Sequence, residues 1–269
     1  MANLNVPTFC LITGASRGIG RSTAIELAKV VAPNSSFYLL ARNKAKLEET
    51  ADVIKKELDG KIDVTCISAD LSTEESATKL YNDIFENIEV ARYSHAILVH
   101  NVASTGMSKF ARELDGVQFL QRFLLLNVTA PIVLTSSFFS CFGHGKDSTR
   151  KTIIQVTSSN ATTPYKTMHI YGMAKAGRDM FFKVMALEEP EVRVLSYDPG
   201  AVDTEMYKET YGTPDSEFLE QLKGYAKQSY FLQPEQSASA LIKALQEDKY
   251  VSAEVVRCYD VMGMKTDFE

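Results

Sequence analysis

Tyr171-Gly172-Met173-Ala174-Lys175 sets a phenol and an ammonium at i and i+4, on one face of a helix. The pairing suits protonation of an alkoxide that forms when hydride reaches a carbonyl. A free tyrosine has a pKa of about 10, and a neighbouring ammonium stabilises its phenolate, so Lys175 is expected to lower the Tyr171 phenol toward working pH. The motif is short enough to arise by chance. Ser158, at the end of the strand-like run Thr152–Thr157, adds a hydroxyl able to hydrogen-bond a substrate carbonyl, and Ser159 stands beside it. Asn127, polar within Leu126-Asn127-Val128-Thr129, either orients Lys175 through water or is a buried structural amide.

A second constellation lies near the start. Thr13-Gly14-Ala15-Ser16-Arg17-Gly18-Ile19-Gly20 follows an apolar run and opens a helical one. Glycines allow a tight turn, and a helix N-terminus presents free N–H groups to a pyrophosphate. Dinucleotide sites for NAD usually carry an acid about 20 residues further on, for the ribose 2′-hydroxyl. Here Leu40-Ala41-Arg42-Asn43 offers Arg42 instead, and with Arg17 it favours a 2′-phosphate, hence NADPH/NADP+. Asp70, followed by Leu71, reads equally as an adenine contact or a helix N-cap. Lys175 is also placed to hold the nicotinamide ribose.

The elements that must carry these groups alternate. Strand-like runs Phe9–Thr13, Phe37–Ala41, Val64–Ala69, Ala96–His100, Thr152–Thr157 and Val192–Tyr197 are separated by helical stretches near 19–30, 43–58, 74–87, 118–142 and 170–187. The pattern predicts an α/β fold: a Rossmann-type doubly wound parallel sheet in a single domain spanning 1–269. After Pro199-Gly200 the rhythm changes. A polar and aromatic stretch at about 201–232 suits a substrate lid, and a helix near 236–247 and a strand near Val251–Tyr259 close the chain. The lid aromatics are Tyr207, Tyr211, Phe218, Tyr225, Tyr230 and Phe231, with ordinary helix packing the alternative; Tyr165 and Met168 are candidate pocket walls.

Bulk properties bound the rest. With 45% hydrophobic and 23% charged residues over 269, the chain can bury a large core. A net charge of −5 disfavours nonspecific nucleic-acid binding. No signal peptide is evident, and no apolar run is expected to reach membrane-spanning length. The four cysteines, Cys10, Cys66, Cys141 and Cys258, are scattered, as in a reducing compartment, and cytoplasm is the expected location. Cys10 and Cys66 read as buried small hydrophobes. No metal site is suggested.

In order and spacing, the Gly-rich turn, Asn127, Ser158, Tyr171-x-x-x-Lys175 and Pro199-Gly200 resemble the short-chain dehydrogenases/reductases over essentially the whole chain. The resemblance implies hydride transfer from a nicotinamide, a supporting role for Asn101, and a loop of Pro199, Gly200, Val202 and Thr204 over the cofactor. Residues 177–197, Val202–Met206 and Tyr259-Asp260 resemble the branch that reduces pterin side-chain ketones, which implies a pterin substrate and a homodimer. Two features depart from the pattern. His100-Asn101-Val102-Ala103 keeps one asparagine of the usual turn, with His100 expected as a packed strand-end residue. Arg257 stands where that branch carries a ring-anchoring aspartate; Asp260, on the opposite face if the segment is a strand, is the nearby substitute. A diketone reductase is therefore the alternative, and a non-catalytic NADP(H) sensor the remote one, which has no need of a proton donor.

Overall fold

β1 (Thr8–Thr13) is buried along its whole length, and its side chains divide between two cores. Cys10 and Ile12 face one, Phe9 and Leu11 the other, because alternate Cβ atoms of a strand point to opposite faces. In the computed structural model, residues 1–73, 80–81, 83–106, 109–114, 116–143, 149–210, 224 and 231–265 are described. The first core packs beneath α1 (Gly18–Ala28), α2 (Lys44–Glu57) and α7 (Pro234–Glu247). The second is capped by α4 (Ala130–Phe142) and α5 (His169–Glu188), with Phe138, Phe142 and Phe182 at its centre.

β1 is joined by β2 (Ser36–Ala41), β3 (Asp63–Ser68), β4 (His95–His100), β5 (Arg150–Val156), β6 (Val192–Asp198) and β7 (Val255–Arg257). All pair in parallel, in the order β3-β2-β1-β4-β5-β6-β7. This is the expected single Rossmann-like sheet. Strand order reverses between β1 and β4, which opens a crevice at the carboxyl ends of those strands. Half of the predicted helix near 74–87 falls outside the described residues; 80–81 and 83–85 are helical.

The expectation for the last segment needs correction. Only Val255–Arg257 is strand; Cys258–Met262 is a helix, α8. Gly200 explains the switch. A Cβ there would sit 2.8 Å from the Tyr259 ring, whose hydroxyl accepts from Ala201 N at 2.9 Å. Turning the chain into a helix brings Tyr259 onto that loop, and strand alternation no longer separates Arg257 from Asp260.

A second correction concerns the run from α3 (Val117–Leu124) through a π-helical turn (Leu125–Thr129) into α4. Together these 26 residues are long and apolar enough to cross a membrane by length and composition. Phe123, Leu134, Phe138 and Phe142 are buried against the rest of the chain, as in a core helix. The cysteines are free thiols; Cys10 is buried, while Cys66 is only partly so, on the outer strand β3.

Candidate active site

At the end of β1, Gly14 and Ala15 donate their N–H groups to the Leu40 carbonyl (2.7 and 3.3 Å). Asn101, just past β4, clamps the turn from the other side. Its Nδ2 donates to the Thr13 and Gly14 carbonyls at 3.0 and 3.3 Å, while the Asn101 and Val102 N–H groups both donate to Thr13 Oγ1 at 3.1 Å. This fit compels the glycines. A Cβ on Gly14, whose φ is +71°, would lie 2.6 Å from Asn101 Nδ2, and one on Gly20 would overlap the Gly14 carbonyl and the same amide. Val102 is accommodated with its side chain against the second core.

α1 then begins at Gly18 with no side-chain cap and no acid in its first turn. Its free N–H groups face a cleft lined by Ser16, Arg17, Ile19 and Arg42, an arrangement that suits an anion. This is the fit expected for a dinucleotide phosphate. Asn43 caps α2, accepting from Lys46 N at 3.1 Å, and also lines the cleft. Asp70 accepts from the Ser72 N–H and hydroxyl at 2.9 and 2.7 Å, in a turn that opens on the cleft with Leu71. Burial would raise its carboxyl, but the two Ser72 hydrogen bonds and the Arg42 and Arg122 charges hold it below the ordinary value. Lys46 and Arg122 also line the cleft and were missed in the sequence, where each reads as an ordinary helix-surface cation.

Across the crevice, Ser158 follows β5. Its Oγ accepts from both Asn160 N and Asn160 Nδ2 at 3.3 Å, which leaves its own hydrogen to donate. The expected lowering of the Tyr171 phenol is reversed: burial pushes it up to about 12, and the smaller opposing influences are the Ser158 hydroxyl and the Arg178 charge. Lys175, 2% exposed, donates to the Val156 carbonyl at 2.6 Å, with its Nζ 5.4 Å from the Tyr171 ring centre. Burial and then the Arg178 charge push its ammonium well below the usual lysine value.

Asn127 sits in the π-helical turn, a local irregularity often found at functional sites. Its Oδ1 accepts from Ser104 N and its Nδ2 donates to the Phe123 carbonyl, both at 3.0 Å. The side chain therefore ties the loop after β4 to the helix, and these two bonds are those of a structural amide. His100 is packed as expected: Nε2 meets Thr135 Oγ1 at 2.8 Å, and burial and Arg178 keep the ring neutral.

The remaining candidates gather at the ends of β6 and β7. Pro199 accepts from Ser237 Oγ at 3.0 Å, and Val202 bridges to Leu232, so both ends of the 201–232 excursion are pinned. Thr204, just before α6 (Glu205–Thr210), lies over the glycine turn, 3.2 Å from where a Gly18 Cβ would be. The Tyr207 and Phe231 rings meet with centroids 4.4 Å apart, tilted by 49°, whereas Tyr211, Phe218, Tyr225 and Tyr230 lie outside the described residues. Arg257, paired in register with Asp198, lines the cleft with Asp260, Gly200, Ser159, Tyr165 and Met168. Asp198, missed in the sequence because it merely precedes a Pro-Gly turn, is pushed up by burial against the Gly200 N–H bond and the Arg257 and Lys175 charges. The whole cleft measures about 1480 Å³, above the roughly 300–1,000 Å³ of a single small-molecule pocket. It has room for a dinucleotide and a substrate together.

A family profile described as short chain dehydrogenase matches residues 8–214. Sepiapterin reductase of Rattus norvegicus is 32% identical over 254 residues, covering 94% of this chain and 96% of that protein. Benzil reductase ((S)-benzoin forming) of Bacillus subtilis is 29% identical over 257 residues, covering 93% and 97%. Among solved structures, a short-chain dehydrogenase from Sphingobium yanoikuyae in complex with NADPH aligns with a TM-score of 0.70 at 23% identity, over 93% of this chain and 87% of that one.

Proposed function

Because the chain belongs to the short-chain dehydrogenase family and is an oxidoreductase, we propose that it is an NADPH-dependent reductase of pterin side-chain ketones, of the sepiapterin reductase type. The observation that carries the chemistry is the convergence of Ser158, Tyr171 and Lys175 on the cleft that the Gly14–Gly20 turn opens. Similarity to sepiapterin reductases over nearly the whole chain supports the substrate class. On this reading the enzyme serves the last steps of tetrahydrobiopterin synthesis in the cytoplasm.

A bound nicotinamide cofactor supplies the hydride. The N–H groups of α1 would hold its pyrophosphate, Arg17 and Arg42 its 2′-phosphate, and Lys175 the ribose, with Asn101 bracing the turn. Ser158, turned outward by Asn160, donates to the substrate carbonyl oxygen and fixes it beside Tyr171. Tyr171 gives its phenolic proton to that oxygen as negative charge develops. A phenol that burial holds protonated is a donor throughout the neutral range. Arg257 and Asp260 face the substrate end, and residues 201–232 act as its lid.

Dimerisation is part of the proposal. Met173, Met180, Val184 and Leu187 are exposed along one stripe of α5, an apolar surface a second copy would cover. A diketone substrate is the second reading, favoured by a cation, Arg257, at the far wall. The deciding experiment follows consumption of NADPH and NADH by purified protein with sepiapterin and with benzil. The proposal expects NADPH to be preferred at least about tenfold, the value of one charge-assisted contact, and sepiapterin to react faster. Faster benzil turnover would move the enzyme out of pterin chemistry, and preference for NADH would remove the role given to Arg17 and Arg42.

A further inference from the structure

Tyr171, Lys175 and Arg178 occupy positions i, i+4 and i+7 of α5, one continuous stripe on the buried face of the helix. The third member is the most unusual. Arg178 is 1% exposed, the largest fully buried side chain in the described structure. Its Nη2 donates to the His100 carbonyl at 3.2 Å, while Nε and Nη1 have no hydrogen-bond partner among the described residues. Burial pushes the guanidinium down to about 10, so it remains a cation at neutral pH. The adjacent carboxylate, Asp179, is engaged by Gln155 Nε2 at 2.6 Å.

A buried cation with one neutral hydrogen bond is costly, so an apolar side chain would stabilise this position better unless the charge itself is used. Its tether explains part of that use. The His100 carbonyl ends β4, one residue before the Asn101 that clamps the phosphate turn, so Arg178 links the helix of Tyr171 to the cradle of the cofactor.

We propose that Arg178 is a positioning residue for the reaction, holding α5 in register against the end of β4 and supplying much of the positive field around Tyr171 and Lys175. Both neighbours feel it. The Arg178 charge favours the Tyr171 phenolate and disfavours the Lys175 ammonium. Charged and polar groups facing the pair from other elements are Asp198 at the end of β6, Ser158 after β5 and His100 on β4, with Asp179 on α5 itself. Among the groups acting on Tyr171, Arg178 is the cation; Lys175 meets the ring face instead.

The inference rests on Tyr171 as proton donor for its kinetic consequence, but not for its electrostatic one. Lys175 can be titrated by NMR of the lysine side chains, assigned with Lys175→Arg, in protein without substrate. Replacing Arg178→Met should raise the Lys175 pKa, because a nearby like charge is removed, whereas Arg178→Lys should leave it near the parent value. In turnover, Arg178→Met should lower kcat at least about tenfold with KM for NADPH within about twofold. Arg178→Lys should restore most of that loss. An unmoved Lys175 titration, or a lysine that does no better than methionine, overturns the inference. If Arg178→Met does not fold, Arg178→Gln removes the charge while keeping donors to the His100 carbonyl, and the same readings apply. An active Tyr171→Phe would instead sink the proposed function and leave the Lys175 titration standing as the test of Arg178.

Discussion

β4 carries a buried histidine at each end, and the two ends differ in how completely their polar groups are paired. At the amino end, Arg150 Nη2 donates to His95 Nδ1 at 2.8 Å, so the opposite nitrogen carries the proton and donates to Thr152 Oγ1 at 2.8 Å. Arg150 also reaches the Asn3 carbonyl. Nearby Arg193 holds Asp248 through two nitrogens, at 3.0 and 2.6 Å, and stacks on Tyr250. Every ring nitrogen and guanidinium named here has a partner. At the carboxyl end, His100 Nδ1, Asn160 Oδ1 and two Arg178 nitrogens have none among the described residues, and Gly14 and Gly20 are forced by backbone crowding. The satisfied end has the full pairing of a structural element. On the proposed reading, the other end leaves polar capacity unspent because its groups would serve a reaction and its ligands.

The comparison breaks most sharply at Tyr171, the proposed proton donor. Tyr171→Phe should lower kcat by about 10²–10⁴-fold, the usual worth of a positioned general acid, while NADPH binding, read by fluorescence titration, persists. Retained turnover would dissolve the distinction between the ends. Gly20→Ala comes next. A Cβ in contact with the Gly14 carbonyl and the Asn101 amide should cost about 1–3 kcal/mol through overpacking and weaken NADPH binding in parallel. An alanine variant with parent affinity would show the turn to be looser than described.

Arg42→Ala should cost about 1.5–3 kcal/mol in NADPH binding, as for hydrogen bonds to charged groups, and leave NADH binding unchanged, so that the ratio of the two falls. An equal loss for both cofactors would remove Arg42 from the 2′-phosphate.

One test addresses the histidines at both ends of β4, and one the satisfied end alone. Burial, and then the Arg150 charge, push His95 down to about 3 from its ordinary 6.5, and His100 is depressed as well. Below about pH 6.5 the unfolded chain therefore takes up protons that the native state refuses. Stability is full above that value and falls as pH drops, by about 1.4 kcal/mol per histidine between pH 7.5 and 5.5. Urea unfolding at the two pH values checks it, and equal midpoints would show the rings to be accessible. The smallest effect belongs to Arg193→Ala. Its pair with Asp248 is about one-third exposed, so screening limits the loss to about 1 kcal/mol, with kcat unchanged. A fall in kcat would show that the two ends are coupled.

Local pattern made much of this molecule legible in advance. Alternating apolar strands and amphipathic helices gave the sheet, since β1 and β4–β6 are buried enough to read as apolar runs. The pairing of Tyr171 with Lys175 was legible because the i, i+4 spacing of a helix is a local property, and Ser158 because it ends an apolar strand-like run. Arg178 had the same signal, at i+7, but a lone arginine reads as solvated until its burial is known.

What the sequence by itself determined is therefore periodic and covalently near: the strands, the helices, the glycine turn and the spacing of reactive groups. Tertiary structure decided what depends on distant neighbours. It set the direction of the Tyr171 shift, because desolvation outweighs every nearby charge. It committed Asn127 to Ser104 and Phe123, and brought Asp198 beside Arg257. It also turned 258–262 into a helix, because Gly200, nearly sixty residues earlier, leaves room for the Tyr259 ring. Burial and close approach are properties of the assembled chain, and no window of sequence contains them.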